Sequence, residues 1–221
     1  SEQGYLPETI LNYLALLGWS LDDTTNIFDR ERLTVEFDLG RVSKNPAIWD
    51  PEKLEWMNGA YLRALSPAQF ARASLPWLEA EGLTTARDLE ARPDWYEALA
   101  PLVAERVKRL DEVAPLVRFL FADDVEIDEG SRAKTLEVEG AAEALRQVGS
   151  RLSSLDPYTA ENIERALREV PEALGVKPKV VFQAVRVAVT GTTVSLPLFE
   201  SLELLGQRRS SERIAAALNA S

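Results

Sequence analysis

The sequence lacks the side chains that most often carry out enzyme chemistry. None of its 221 residues is a histidine or a cysteine. The absence of histidine removes the commonest general base, the Ser-His-Asp arrangement and most zinc sites. The absence of cysteine excludes disulfides and cysteine nucleophiles. The side chains left for specific recognition are basic, and an arginine offers both a flat stacking surface and a fork of donors.

Three basic pairs mark where such side chains cluster along the chain: Lys108–Arg109, Lys177 with Lys179, and Arg208–Arg209. The net charge of -11 argues against binding of nucleic acid by bulk attraction to phosphate, because proteins of that kind are usually basic. Any such binding is therefore expected to use local basic patches. The same pairs are also typical of a solvated helix face, and their pattern alone does not distinguish the two interpretations.

The composition is that of a folded soluble protein. Hydrophobic residues make up 46% and charged residues 28% of the chain, which is close to globular averages and far from disordered chains. The first residues, SEQGYLPE, carry no basic segment followed by an apolar run, and no stretch of about eighteen apolar residues occurs. Neither export nor membrane spanning is predicted, and the lack of cysteine suits a reducing cytoplasm.

Most of the sequence has the start signals and periodicity of α-helices. A small polar residue followed by proline predicts helix starts at Asp50–Pro51, Ser66–Pro67 and Asp156–Pro157. A first helix is predicted from Pro7, with a left-handed ending at Gly18. Its predicted buried face consists of Ile10, Leu11, Leu14 and Leu17.

Residues 180–189, VVFQAVRVAV, fit two kinds of secondary structure. Alternating valines at positions 185, 187 and 189 favour a β-strand on pattern alone. The alternative is a helix that begins at Pro178 and ends at Gly191. In that helix Val181, Ala184, Val185 and Ala188 would share one face. The acidic stretch 123–129, which precedes this segment, is the best internal boundary of the chain.

Three sequence blocks resemble bacterial glutamyl-tRNA synthetases. The first is GYLPETILNYLALLGWS, Gly4–Ser20, and the second is the motif K-L-x-W-M-N-G-x-Y, which Lys53–Tyr61 satisfies in full. The third block, Val181–Gly206, is similar to the family's Q-P-L-R-V-A-L-T-G-x-x-x-S-P-x-L-F-E-x-L-x-L-L-G. It departs from that pattern at Ala184, which replaces a proline, and at Leu196–Pro197.

The resemblance implies an all-α protein in three parts. These are a stem-contact helical region at residues 1–65 and two helical-bundle anticodon-binding domains, a helix cage, at residues 66–122 and 123–221. The implied function is recognition of the stem and anticodon of tRNA(Glu), as the carboxyl-terminal part of a glutamate–tRNA ligase. A cytoplasmic monomer is expected, with tRNA(Glu) as its partner and with neither DNA nor a membrane as a partner.

The family's catalytic motifs are missing from these residues. Its amino-terminal domain carries a His-x-Gly-His-type motif and a lysine loop, which bind ATP, whereas this sequence has no histidine. The resemblance implies that the parent enzyme attaches glutamate to tRNA with ATP and magnesium. The 221 residues alone are expected to bind no cofactor, to hold no metal and to be inactive.

The resemblance also assigns roles to five residues of the anticodon-binding region. Arg106 stands where the family has an arginine that contacts the first anticodon base. Arg186 matches the family arginine placed against the bases read further along. Ser195, Leu196 and Leu198 would shape the pocket for the second and third anticodon positions, where a helix start also offers N–H donors. Without the resemblance, a solvated arginine and a simple connecting loop are the ordinary interpretations.

Lys53 and Trp56 are assigned to contact with the tRNA stem, because the family uses this segment on the inner side of the tRNA. A tryptophan beside an apolar helical stripe is also a common packing residue, and helix packing is the alternative. Two functional alternatives remain for the whole chain. One is a non-catalytic helical protein-interaction module, and the other is part of a synthetase that also charges tRNA(Gln).

Overall fold

A computed structural model describes residues 3–22, 24–43 and 48–219 of the chain. Within these ranges the regular structure is helical, with no β-strand, which confirms the all-α prediction. Short 3₁₀ turns lie at Leu39–Arg41 and Leu110–Glu112. In chain order the α-helices are α1 (Pro7–Leu16), α2 (Arg30–Glu36), α3 (Pro51–Ala64), α4 (Pro67–Ala80), α5 (Ala86–Ala91), α6 (Pro93–Ala104), α7 (Val113–Phe121), α8 (Glu129–Thr135), α9 (Ala141–Ser153), α10 (Ala160–Arg168), α11 (Val170–Leu174), α12 (Pro178–Thr190), α13 (Leu198–Leu205) and α14 (Gln207–Asn219).

The chain folds as two compact units, Ser1–Pro115 and Leu116–Ser221, and the boundary falls within α7. In the first unit α1 packs against α3, and both α3 and α4 pack against α6. In the second unit α9, α12 and α14 pack against one another, and α10 packs against α13. The division into three functional regions at residues 65 and 122 remains a prediction.

Two of the three predicted helix starts are confirmed. The Asp50 carboxylate accepts a hydrogen bond from the Lys53 amide at 3.0 Å, and Ser66 forms a capping box at the start of α4. The predicted start at Asp156–Pro157 is wrong, because α10 begins at Ala160. Its cap is Thr159, whose hydroxyl accepts a hydrogen bond from the Asn162 amide. This capping hydrogen bond satisfies one of the unpaired amides at the helix start and therefore sets where α10 begins.

The buried face of α1 differs from the predicted one. Thr9 and Tyr13 are buried, whereas Leu11 is 41% exposed and Leu14 is 55% exposed. The reason is that α3 packs against α1 and offers it a polar as well as an apolar surface. The Thr9 hydroxyl donates to the Asn58 side chain of α3, so the face of α1 that carries Thr9 is buried. The left-handed ending at Gly18 is also wrong, because the helix ends at Leu16, its cap residue Leu17 has a φ of -64°, and Gly18 does not have a positive φ.

The strand interpretation of residues 180–189 is wrong, and the helical alternative is confirmed as α12. The four residues of the predicted helical face are each at most 1% exposed: Val181, Ala184, Val185 and Ala188. Helices on several sides of α12 offer apolar surface to its valines, so burial outweighs their preference for strands. Pro178 stands at the first turn of α12, and Gly191 caps its end with φ of +82°.

Candidate nucleic-acid interface

Arg186 forms the centre of the candidate interface in the second unit. It lies in the third turn of α12 and is partly buried. Its Nη1 group donates to the Ser195 hydroxyl at 2.5 Å and to the Leu196 carbonyl at 2.8 Å. The structure therefore brings together Arg186, Ser195 and Leu196, which lie nine and ten residues apart in sequence. These bonds fix the guanidinium plane beside the loop that leads into α13.

Gly191 allows this loop to turn back towards Arg186. Its φ of +82° is a conformation that side chains with a Cβ rarely adopt. A Cβ at this position would also lie 2.3 Å from the Glu126 carbonyl oxygen. Thr190 adds a second local constraint by donating from its hydroxyl to the Arg186 carbonyl at 2.8 Å. A glycine is thus required where the backbone passes the 123–129 segment.

The two leucines assigned to the base pocket are buried, with Leu196 at 0% and Leu198 at 5% exposure. Their side chains form part of the core beneath the loop and do not face solvent. Val194, by contrast, is 78% exposed and is an apolar side chain that the loop does present. The roles of Ser195, Leu196 and Leu198 in base recognition remain predictions, and burial limits the leucines to shaping the loop or to backbone contacts.

Sequence reasoning missed an aromatic pair that begins one helical turn before Arg186. The rings of Phe182 and Phe199 meet edge to face, with centroids 5.9 Å apart and an interplanar angle of 89°. Both residues are only partly buried. Phe182 precedes Arg186 by four residues, which places the two side chains on the same face of α12. The four-residue spacing of Phe182 and Arg186 is the sequence signal that could have revealed this aromatic side chain. Aromatic rings on a nucleic-acid-binding surface can stack unpaired bases.

Arg106 lies in the first unit, two residues beyond the end of α6. Its side chain is exposed, and its backbone amide donates to the Val103 carbonyl at 2.8 Å. Its predicted contact with the first anticodon base is compatible with this exposure and remains a prediction.

The motif K-L-x-W-M-N-G-x-Y divides between two faces of α3. Met57 and Asn58 are both fully buried and serve the packing of α3. Trp56 is 50% exposed, and Lys53 is partly exposed and lines a pocket of about 350 Å³ together with Tyr13. The half-exposed indole of Trp56 is available to a partner, and the stem-contact roles of Lys53 and Trp56 remain predictions.

Two of the three basic pairs are engaged within the protein. Arg109 forms ion pairs with Asp111 at 2.9 Å and with Glu55 at 3.3 Å. Its hydrogen bond to the Asp111 carboxylate is the main cause that raises the pKa of Arg109 above its usual range. Arg208 forms an ion pair with Glu212 at 2.8 Å. Its neighbour Arg209 donates to the Leu120 carbonyl at 2.8 Å. These contacts reduce the capacity of both pairs to bind an external anion.

The third pair differs in this respect. Lys177 and Lys179 are both exposed, and none of the ion pairs formed between described residues involves either of them. They stand at the start of α12, the helix that carries Arg186. Two of the three predicted basic patches are thus parts of internal networks, and one is a cationic surface.

The described residues contain neither a cluster of three metal-ligand side chains nor a membrane-spanning helix. Across residues 3–22, 24–43 and 48–219, no three acidic side chains come together in a way that could hold a metal ion. In the same ranges no helix has the length and apolar character required to cross a bilayer.

Comparison with known families defines the class of protein. Residues 69–218 match the family described as the anticodon binding domain, and the chain therefore belongs to that family. Residues 1–56 match the family described as the catalytic domain of class I tRNA synthetases (E and Q). This second match overlaps most of the predicted stem-contact region, residues 1–65.

Individual relatives agree with the resemblance seen in the sequence. The chain is 44% identical over 219 residues to the glutamate–tRNA ligase of Saccharopolyspora erythraea, across 98% of this chain and 43% of that protein. It is 42% identical to the glutamate–tRNA ligase of Roseiflexus castenholzii, across 99% of this chain and 43% of that protein. The crystal structure of a glutamate tRNA ligase from Elizabethkingia meningosepticum superposes with a TM-score of 0.83 at 26% identity, covering 98% of this chain and 41% of that one. The chain thus spans less than half the length of these relatives.

Proposed function

We propose that this chain recognises the anticodon loop and stem of tRNA(Glu) as the RNA-binding part of a glutamate–tRNA ligase. The observation that carries the proposal is the position of Arg186 within an anticodon-binding domain. Its guanidinium is held by Ser195 and Leu196 on a partly exposed helix face, one turn from Phe182. A fixed planar cation one helical turn from an aromatic ring suits the stacking and edge recognition of unpaired bases.

The ligase reaction itself is assigned to a longer protein. The sequence has no histidine, so it cannot supply the His-x-Gly-His-type motif with which the family resemblance associates ATP binding. ATP and magnesium would then be bound by other parts of a cytoplasmic parent enzyme. The contribution of this chain would be to orient the tRNA, so that its acceptor end reaches the site of glutamate transfer.

Replacing Arg186 by alanine is expected to weaken binding of a tRNA(Glu) anticodon hairpin by roughly 1 to 3 kcal/mol, or about 5- to 150-fold. The physical reason is the loss of both a stacking plane and base-edge donors. The measurement is a fluorescence titration of labelled hairpin RNA at fixed salt. A second hairpin with a scrambled anticodon should bind the unmodified protein more weakly than the cognate hairpin does. Its affinities for the unmodified protein and for Arg186→Ala should be nearly equal.

Two further variants separate recognition from charge and folding. Arg165→Ala removes an exposed arginine from α10 in the same unit and should leave hairpin affinity nearly unchanged. Arg186→Lys keeps the charge but not the planar fork, and it should recover little of the discrimination between hairpins. Equal affinity of the unmodified protein for cognate and scrambled hairpins would contradict the proposed function.

A further inference from the structure

A small basic pocket lies beside the first turns of α12. Its volume is about 210 Å³, and its lining is mostly apolar, with Val138 and Val180 among the lining residues. Three lysines also line it: Lys134 from the last turn of α8, and Lys177 and Lys179 from the start of α12. Two separate elements thus bring three ammonium groups around one apolar pocket.

These lysines are not neutralised by ion pairs with the rest of the described chain. Among the described residues, the ion pairs that form involve other cations. Lys134 contributes only a small part to the lowered pKa of Asp128, which is caused mainly by the hydrogen bonds of that carboxylate to Ser131. In a chain with a net charge of -11, three such lysines form a local surface of opposite sign that attracts anions.

One polar side-chain atom at the pocket also lacks an internal partner. The Gln183 Oε1 atom is buried without a hydrogen-bond partner, although Gln183 lines the pocket. The start of α12 has no side-chain cap, and it contributes the positive end of the helix dipole, although Pro178 has no amide hydrogen and the Val180 amide donates to the Lys177 carbonyl at 2.9 Å. Neither feature alone would define a site, but both lie on the same surface as the three lysines.

The pocket and Arg186 lie along one face of α12. Lys179 and Arg186 are seven residues apart, which is close to two full turns and about 10 Å along the helix axis. Gln183 and Phe182 lie between the two ends of this stripe.

We propose that the pocket lined by Lys134, Lys177 and Lys179 binds the sugar–phosphate backbone of the RNA strand whose bases face Arg186. The inference rests on the proposed function and extends it by assigning a backbone subsite next to the base-reading site. The lysines would pair with phosphate oxygens, while the apolar floor would contact ribose. Such contacts set the register of the strand and do not read its sequence.

The test uses the full 221-residue chain and the two anticodon hairpins, cognate and scrambled, over a range of salt concentrations. The double variant Lys177→Gln/Lys179→Gln should reduce the slope of log affinity against log salt by roughly 0.7 for each phosphate that is no longer neutralised, or about 1.4 for the pair. Affinity should fall by the same factor for both hairpins, because phosphates are common to them. Lys134→Gln should reduce the slope by about half as much as the double variant.

Arg165→Gln is the matched control, since it removes one exposed positive charge from the same unit without touching the pocket. Helical circular dichroism of each variant confirms that it is folded. A slope for the double variant no different from that of Arg165→Gln would overturn the backbone subsite while leaving anticodon recognition intact. If the unmodified protein binds both hairpins equally but the double variant still lowers the slope, the subsite stands and base recognition fails. Absence of hairpin binding by the unmodified protein would overturn both.

Discussion

Replacing Asn58 by alanine is expected to lower the free energy of unfolding of the first unit by about 3 to 5 kcal/mol. The Asn58 side chain is fully buried, and its Oδ1 accepts from the Leu6 amide and the Thr9 hydroxyl, both at 2.9 Å. Its Nδ2 donates to the Gly4 carbonyl at 3.3 Å and to the Lys108 carbonyl at 2.6 Å. Alanine would leave four polar groups without this partner, and a buried unpaired group costs about 1 to 3 kcal/mol.

Urea denaturation followed by tryptophan fluorescence measures this effect selectively. All five tryptophans of the sequence lie between residues 19 and 95, within the first unit. Asn26→Ala is the matched control, because Asn26 makes one exposed hydrogen bond, to the Thr24 carbonyl at 3.0 Å. That control should stay within about 0.5 kcal/mol of the unmodified protein. A similar small loss for Asn58→Ala would show that the buried amide does not organise this unit.

Replacing Arg213 by methionine is expected to destabilise the second unit by about 2 to 4 kcal/mol. Arg213 is 4% exposed, and its guanidinium donates to the carbonyls of Phe119 at 2.8 Å, Ala122 at 2.6 Å and Val189 at 2.6 Å. Two of these carbonyls lie at the end of α7, where a helix leaves its acceptors unpaired. Burial, together with the nearby charge of Arg209, lowers the pKa of Arg213 to about 10, so relief of this desolvation offsets part of the loss.

Circular dichroism during urea denaturation reports this second change, because the second unit contains no tryptophan. The fluorescence transition of the first unit should stay unchanged and provides an internal control. Arg208→Met removes an exposed arginine from the same helix, paired only at the surface with Glu212, and should cost less than about 1 kcal/mol. Equal midpoints for Arg213→Met and Arg208→Met would contradict the proposed role of Arg213 in capping α7.

The two buried polar residues illustrate what could not be read from the chain in advance. Asn58 falls inside a recognisable motif, but its four partners lie about fifty residues away in sequence. Arg213 lies outside every motif, and its carbonyl partners lie 24 to 94 residues away. No local pattern specifies such partners, since they depend on how helices distant in sequence come together.

The candidate interface was predictable in part. The family resemblance selected Arg186 and Ser195, and the structure joins them by a hydrogen bond. It did not indicate that Leu196 and Leu198 are buried, nor that Phe182 meets Phe199. Burial and ring contacts depend on the packing of α12 against α13, which the spacing of residues along one helix does not define.

The sequence by itself determined the helical class of the protein, the helix starts at Asp50 and Ser66, and the resemblance to glutamate–tRNA ligases. These properties follow from periodicity, capping and motif order, which act over a few residues or are read directly along the chain. Only the tertiary structure decided which face of α1 is buried, that residues 178–190 form a helix, and which basic side chains are engaged. Each of these outcomes depends on partners from distant helices, whose apolar surfaces and carbonyl groups outweigh the local preferences of the residues concerned.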